Sequence, residues 1–392
     1  MKNYREQIQQ FVQTHQADML ELWKELVNLE GCTEEPENVK KVQNRVRAEL
    51  EELGFRCWEE PSRPDRCSVL LGVLGEERPG KPVVFGGHLD TVHATGAFGG
   101  ANPFKIEDGR AYGPGVLDMK GGIVIALYVI RALQELGYTD RPIKIIFSCE
   151  EEKDHVGTDV DQVYMNNSKG ALCAFNMETG HITNSLCVGR KTIYTFYATV
   201  HGKGGHAGNE FDKGRNALLE AAHKIVQLAA LTDLEKGTTV TPSICRCGTH
   251  TAGIPGDCEL AFDVRILQQA EGDRIEREFK RIMETSYVPD THTEYRLDKA
   301  KLLVFERTEG TMRLLEFVNH IAEQNGYAPF GNITLGGASD AGAMCKAGVP
   351  CLCSCGVIGE FNHSLKEYAV VQSLFDRTVI YALTILALKD FQ

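Results

Sequence analysis

Apolar residues in the first fifty positions recur at helical spacing. Ile8, Phe11, Met19, Leu20, Leu22, Trp23, Leu26 and Val27 predict one helix, and Val39, Val42, Val46 and Leu50 predict a second. The period then shortens. Cys67 to Leu74 and Pro82 to Gly87 are apolar runs bounded by Gly, Pro and charge, as buried strands are. Gly121 to Leu136 is an apolar helical stretch closed by Gly137, and Ile143 to Cys149 is the next strand. Continuous apolar strands alternating with helices predict a sheet covered by helices on both faces.

From about Lys191 to Leu297 the rhythm differs: strand (Thr192 to Val200), helix (Asn216 to Ala230), strand (Thr238 to Cys247), strand (Glu259 to Ile266), helix (Gly272 to Thr285), strand (Thr291 to Leu297). That βαββαβ order is the split βαβ arrangement and is enough for a small domain of its own. Beyond it lie a helix (Met312 to Asn325), a short element near Ala341 to Ala347, a strand rich in cysteine and a last helix (Ser373 to Leu388). These are too few for an independent core and are expected to rejoin the first sheet. The expectation is an α/β chain whose main domain, residues 1–190 and 301–392, has a mixed sheet with helices on both faces. An inserted βαββαβ, ferredoxin-like domain over residues 191–300 interrupts it.

Composition removes several alternatives. The 392 residues carry 42 Lys and Arg against 54 Asp and Glu, a net charge of −12 that argues against nucleic acid or an anionic membrane as partner. The polar stretch Met1 to Met19 does not read as a signal peptide, and nowhere do 18 uncharged apolar residues follow one another, so no membrane span is expected. Thirteen cysteines, an odd and scattered set, fit a reduced cytoplasmic compartment. Cys351, Cys353 and Cys355 alternate along one strand and are expected to face a core as small hydrophobes.

Metal-binding residue types recur where the predicted strands end, which is where open α/β sheets place their sites. His88 and Asp90 follow the strand that ends at Gly87, Glu150, Glu151 and Glu152 follow Cys149, and Glu178 follows Ala174 to Met177. Asp118 and His363 lie in the loops Gly-Pro-Gly-Val-Leu-Asp-Met-Lys-Gly-Gly and Gly-Glu-Phe-Asn-His-Ser. Any one of these acids could be a solvated loop residue or a helix cap. As a set, imidazoles and carboxylates leaving separate strand ends suit a pair of divalent cations, and three consecutive glutamates in one loop need positive charge nearby.

The chain resembles the co-catalytic zinc aminoacylases and carboxypeptidases, a family that includes carboxypeptidase G, acetylornithine deacetylase and succinyl-diaminopimelate desuccinylase. The resemblance runs through six motifs in order: Gly-Gly-His-Leu-Asp-Thr-Val (86–92), Gly-Pro-Gly-Val-Leu-Asp-Met-Lys-Gly-Gly (113–122), Glu-Glu-Lys-Asp-His-Val-Gly-Thr (151–158), Gly-Lys-Gly-Gly-His-Ala-Gly (202–208), Asp-Val-Arg (263–265) and Gly-Gly-Ala-Ser-Asp-Ala (336–341). It implies two zinc ions per subunit, bridged by Asp118, with His88 and Glu178 on one and Glu152 and His363 on the other. The same ligands accept manganese or cobalt. Asp90 would orient His88, and Glu151 would be the general base. The register is set by Gly157, five residues after the metal-binding glutamate; a slip of one would put Glu150 in the place of Glu151.

The resemblance also implies a homodimer formed through residues 191–300, with His206 polarising the scissile carbonyl across the subunits. Arg265 would pair with the substrate carboxylate, a task suited to a planar bidentate donor. The backbone at Gly336, Gly337 and Ser339 would be a further substrate contact. His93 and His155 are expected as rim or loop residues rather than ligands. Two departures stand out: Ala252 occupies the position where relatives often carry a substrate-contacting Asn, and Pro114 stands where they commonly carry Arg or Ala.

The implied activity is hydrolysis of an amide bond in an N-acyl amino acid or a short peptide with a free C-terminal carboxylate. Glutamate at position 178 and the retained Arg265 favour it over a di- or tripeptidase that uses the same metals. A non-catalytic metal-binding scaffold is the third alternative, and the intact Glu151 argues against it.

Overall fold

The computed structural model describes residues 2–63, 66–155, 157–298 and 302–391. The chain forms two compact units: Met1–Gly189 with Arg307–Thr334 and Ser339–Gln392, and Arg190–Glu306 with Leu335–Ala338. The boundary expected at residue 300 falls on residues 299–301, outside the described residues.

The first unit is built on a six-stranded mixed sheet. Its order is Arg56–Glu60, Val69–Leu74, Ile143–Ser148, Val83–His88, Cys173–Asn176 and Cys351–Leu352. The first two junctions are antiparallel and the last three parallel. Every residue of Val69–Leu74, Val83–His88 and Cys173–Asn176 is buried, so both faces of the sheet are covered. Gly121–Glu135 is sheathed on nearly all sides and packs against Val371–Ala387, which also meets Lys2–Thr14 and Glu309–Gln324. Val371–Asp390 is the one helical stretch among the described residues long and apolar enough to cross a membrane, and 78% of its apolar window is buried inside the fold.

Three local expectations are corrected. The single helix expected over Ile8 to Val27 is two, Lys2–Thr14 and Gln16–Asn28. They break at His15 (φ −100, ψ 11), whose Nδ1 lies 2.8 Å from the Phe11 carbonyl. Arg56–Glu60 is a further strand that no apolar pattern marks, because it is a charged edge strand. The cysteine strand is only Cys351–Leu352; a bridge from Cys187 to Cys353 follows, and the chain then turns at Ser354 (φ 62). Cys351, Cys353 and Cys355 are nevertheless all buried.

The second unit has an antiparallel sheet of order Thr239–Cys247, Asp257–Ile266, Thr192–His201, His292–Asp298. Burial along Thr192–His201 alternates strictly, so one face packs into a core with Ala217–Ala229 and Gln269–Glu284 while the other faces outward. Lys224 is buried within it, and its Nζ donates to the carbonyls of Ile282, Met283 and Thr285 at the end of the second helix.

Trp23 ties the helical layer to the loop that carries Asp118. It is fully buried, and its Nε1 donates to the Val116 carbonyl at 3.1 Å. Trp23→Ala is expected to cost about 3–5 kcal/mol in urea unfolding. A loss under about 1 kcal/mol would contradict its place at the centre of the packing.

Candidate metal centre

Three parallel strands bring their C-terminal ends to one edge of the first sheet. In register, His88 lies beside Ser148 and Gly86 beside Asn176, so the residues that follow, Glu150 to Glu152 and Glu178, emerge next to His88. Asp118 comes from the turn Val116–Lys120, where its own backbone leaves helical geometry (φ −116, ψ 91). His363 comes from a loop in which Phe361 and His363 both take left-handed conformations (φ 65 and 61).

These side chains converge. His88 Nε2 is 3.2 Å from Asp118 Oδ1 and 3.5 Å from Glu178 Oε1. His363 Nε2 is 3.3 Å from Asp118 Oδ2 and 3.1 Å from Glu152 Oε2. His88, Asp118 and Glu178 each present a ligand atom within 4.8 Å of the others, and so do Asp118, Glu152 and His363. Asp118 belongs to both groups, one oxygen facing each. Glu151 belongs to neither and is buried against them.

Asp90 holds the two halves together. Its carboxylate is fully buried 3.4 Å from His88 Nδ1, takes the Thr33 hydroxyl at 2.7 Å, and accepts the backbone N–H groups of Glu151 and Glu152 at 3.3 Å each. That contact leaves His88 Nε2 facing the acids.

The electrostatics are those of a cation site. Burial pushes the Glu151 carboxyl well above its ordinary range, with the Glu178 charge adding to it, and burial beside Asp118 raises Glu152 to about 7. Burial, with the Asp90 charge adding to it, also raises Glu150 to about 7. Burial opposes ionisation of Asp118, but contacts with His363 and His88 outweigh it and hold the group well below its usual value. His363 is raised to about 11 by Asp118 and Glu152. Five buried carboxylates, Asp90, Asp118, Glu151, Glu152 and Glu178, face two imidazoles, and Glu152 Oε1 is buried with no hydrogen-bond partner. Two triads of mixed nitrogen and oxygen donors sharing one carboxylate fit a pair of divalent ions.

Residues with no local motif complete the support. Glu367 is fully buried and accepts from the backbone N–H groups of Leu117 (2.8 Å), Asp118 (3.0 Å) and Gly115 (3.3 Å). It anchors the Asp118 loop from about 250 residues away in sequence, so nothing near either residue announces it. His93 lies in a loop and outside both ligand groups, but it is buried rather than at the rim, with Nε2 2.9 Å from Glu367. His155 is likewise interior, held between Asp161 (3.1 Å) and Asp340 (3.2 Å). Both follow motifs closely enough to look peripheral, yet each contacts a buried acid. Lys120 is buried too; its Nζ donates to the carbonyls of Glu30 and Pro114, and burial lowers it to about 7.

The remaining site candidates lie mainly on the second unit. His206 is exposed on a short ribbon paired with Gly253, and its Nδ1 accepts from the N–H groups of Gly208 and Asn209, both at 3.1 Å. Two donors on Nδ1 leave the proton on Nε2, which then points outward as a donor. Arg265 Nε is 2.9 Å from Asp263, and its Nη1 reaches the Gly336 carbonyl at 3.3 Å. A Cβ added at Gly336 or Gly337 would meet no atom within 4 Å, so the backbone there is open. Ser339 belongs to the first unit, is 1% exposed, and accepts the Ala341 N–H on its hydroxyl. Its side chain is turned inward, which leaves only backbone as a contact there.

Comparison with known proteins agrees with this geometry. The chain is 28% identical over 381 residues to carboxypeptidase G2 of Pseudomonas sp. (strain RS-16), covering 95% of this chain and 90% of that one. It is 26% identical to succinyl-diaminopimelate desuccinylase 2 of Ruegeria sp. (strain TM1040), with 94% of each covered. Its fold matches the crystal structure of an aminopeptidase from Bacillus cereus with a TM-score of 0.78 at 21% identity, over 94% of this chain and 98% of that one. It also matches a dinuclear metal-binding peptidase of Bacillus subtilis with a TM-score of 0.67 at 16% identity, over 96% and 99%. Residues 84–387 match the family described as peptidase family M20/M25/M40, and the chain belongs to that family.

Proposed function

We propose that this chain hydrolyses the amide bond of an N-acyl amino acid, or of a short peptide with a free C-terminal carboxylate, using two divalent ions, most naturally zinc. The observation that carries the proposal is the pair of ligand groups sharing Asp118, with Glu151 buried beside both and bound to neither. His88, Asp118 and Glu178 would hold one ion and Asp118, Glu152 and His363 the other. When bound, such ions lower the pKa of a water and polarise a carbonyl.

The chain's own groups do the rest. Glu151, the carboxylate outside both triads, takes the proton of the attacking water and returns it to the leaving nitrogen. Its place outside both ligand groups, yet buried beside them, leaves its carboxylate available for that transfer. Asp90 keeps the His88 ring oriented and fixes the backbone of Glu151 and Glu152. Arg265 binds the substrate carboxylate, with Asp263 steadying its guanidinium. His206 donates from Nε2 to the carbonyl oxygen as charge develops on it.

Two kinds of observation support a carboxypeptidase or deacylase over the aminopeptidase and tripeptidase named among the fold neighbours. The sequence relatives are a carboxypeptidase and desuccinylases at 28% and 26% identity, whereas those two neighbours share 21% and 19%. The second unit also offers a guanidinium for a carboxylate. The scaffold reading loses support from the intact Glu151.

Dimerisation through the second unit has its own grounds. On the helix Ala217–Ala229, Leu218 (42% exposed), Leu219 (50%) and Val226 (69%) lie outside the core, and the edge strand Thr239–Cys247 is exposed along most of its length. An apolar helix face beside an open strand edge is suited to pairing with a second copy.

Glu151→Gln is expected to lower kcat by about 10²- to 10⁴-fold while metal content stays at its wild-type level. Activity within a few-fold of wild type would remove Glu151 as the base. Val226→Asp together with Leu219→Asp is expected to give a monomer in analytical ultracentrifugation, with turnover reduced about 10²-fold or more if His206 works across the interface. A fully active monomer would refute the shared site.

A further inference from the structure

We infer that the second unit carries a third divalent-cation site, formed by His201, His292 and Glu294 with Asp257 behind His201, which takes a borderline transition metal such as Zn²⁺, Ni²⁺ or Cu²⁺. The site lies on the sheet face that the helices leave uncovered. His201 ends the strand Thr192–His201 and His292 begins His292–Asp298; the antiparallel register sets them directly opposite each other. Val200 beside His201 packs into the helical core, so His201 projects from the other face. His292 shares that face as its cross-strand partner, and Glu294, two residues on, shares it as well.

The donor groups cluster on one face. The two imidazoles stack with centroids 4.7 Å apart and planes 24° from parallel. One ligand atom from each of His201, His292 and Glu294 lies within 4.8 Å of the others. A third strand supplies the orienting group: Asp257 is the register partner of His201, and its Oδ1 is 2.7 Å from His201 Nδ1. That contact holds the proton on Nδ1 and leaves the Nε2 lone pair facing the Glu294 side, where Oε2 lies 3.9 Å away. A carboxylate behind the distal nitrogen of an imidazole is the arrangement that orients histidines on metals.

A pair of stacked imidazoles gains nothing from stacking once both are protonated, whereas a shared cation bonds both lone pairs. Two nitrogens and one carboxylate select zinc, nickel or copper over magnesium or calcium, which prefer oxygen donors. Glu259, opposite Thr199 on the same face, adds negative charge near the site. A metal there pins the outer strand His292–Asp298 to its neighbour. The inference uses residues of the second unit only and does not depend on the proposed amide hydrolysis.

Equilibrium dialysis of the full-length protein against buffered Zn²⁺, with zinc counted per chain, tests it. Wild type is expected to hold about one zinc more than the His201→Ala/His292→Ala double variant, whatever number the first unit retains. His320→Ala, which removes an exposed histidine of the first unit, is expected to keep the extra equivalent. Circular dichroism confirms that the double variant is folded. Equal zinc in wild type and the double variant overturns the site, and so does loss of the extra equivalent in His320→Ala.

Discussion

The first unit is organised around an electrostatic constraint: five carboxylates are buried together with only two imidazoles to balance them. Two unit charges about 4 Å apart repel by about 4 kcal/mol even at the effective dielectric of a protein surface, and these groups are deeper than that. Without cations the arrangement survives by holding protons, which is why Glu151 and Glu152 are raised and both imidazoles are drawn to their charged forms. Such crowding favours a counter-charge at this place. Two dications sharing Asp118, as proposed, would remove the repulsion and convert it into coordination.

Everything that holds the centre follows from that need for rigidity. Parallel strands align His88, the Glu150–Glu152 turn and Glu178 at one edge. Asp118 and His363, which come from loops, require anchors: Glu367 grips three consecutive-region N–H groups of the Asp118 loop, Trp23 holds the Val116 carbonyl, and Asn362 donates to Asp118 Oδ2 at 3.0 Å. Asp90 links the His88 ring to the backbone of Glu152. Apart from the Asp90–His88 contact, each tie crosses a long stretch of chain, so the centre and the core of the unit are stabilised together.

Much of this was legible from the sequence, and the reason is local. His-x-Asp after a buried strand, three glutamates after another, and the Gly-rich loop around Asp118 each announce themselves within a few residues, and the strand-end rule gathers them. The periodicity of residues 192–297 likewise yields the βαββαβ order. What escaped is non-local or unpatterned. Glu367 looks like any loop glutamate until its backbone partners are known, and His93 and His155 look peripheral because the acids that bury them, Glu367 and Asp340, lie far along the chain. The edge strand Arg56–Glu60 has no apolar rhythm to read, and the break at His15 lies inside a continuous helical pattern. The cross-strand pair His201 and His292 is invisible until register places two residues ninety-one positions apart side by side.

The central claim, that the buried acids of the first unit exist to hold two ions that share Asp118, is tested most directly by crystals of the zinc-loaded protein measured on both sides of the zinc absorption edge. The account predicts two anomalous peaks flanking the Asp118 carboxylate, one in reach of His88 and Glu178 and the other in reach of Glu152 and His363. A single peak, or two peaks that do not share Asp118, would contradict it.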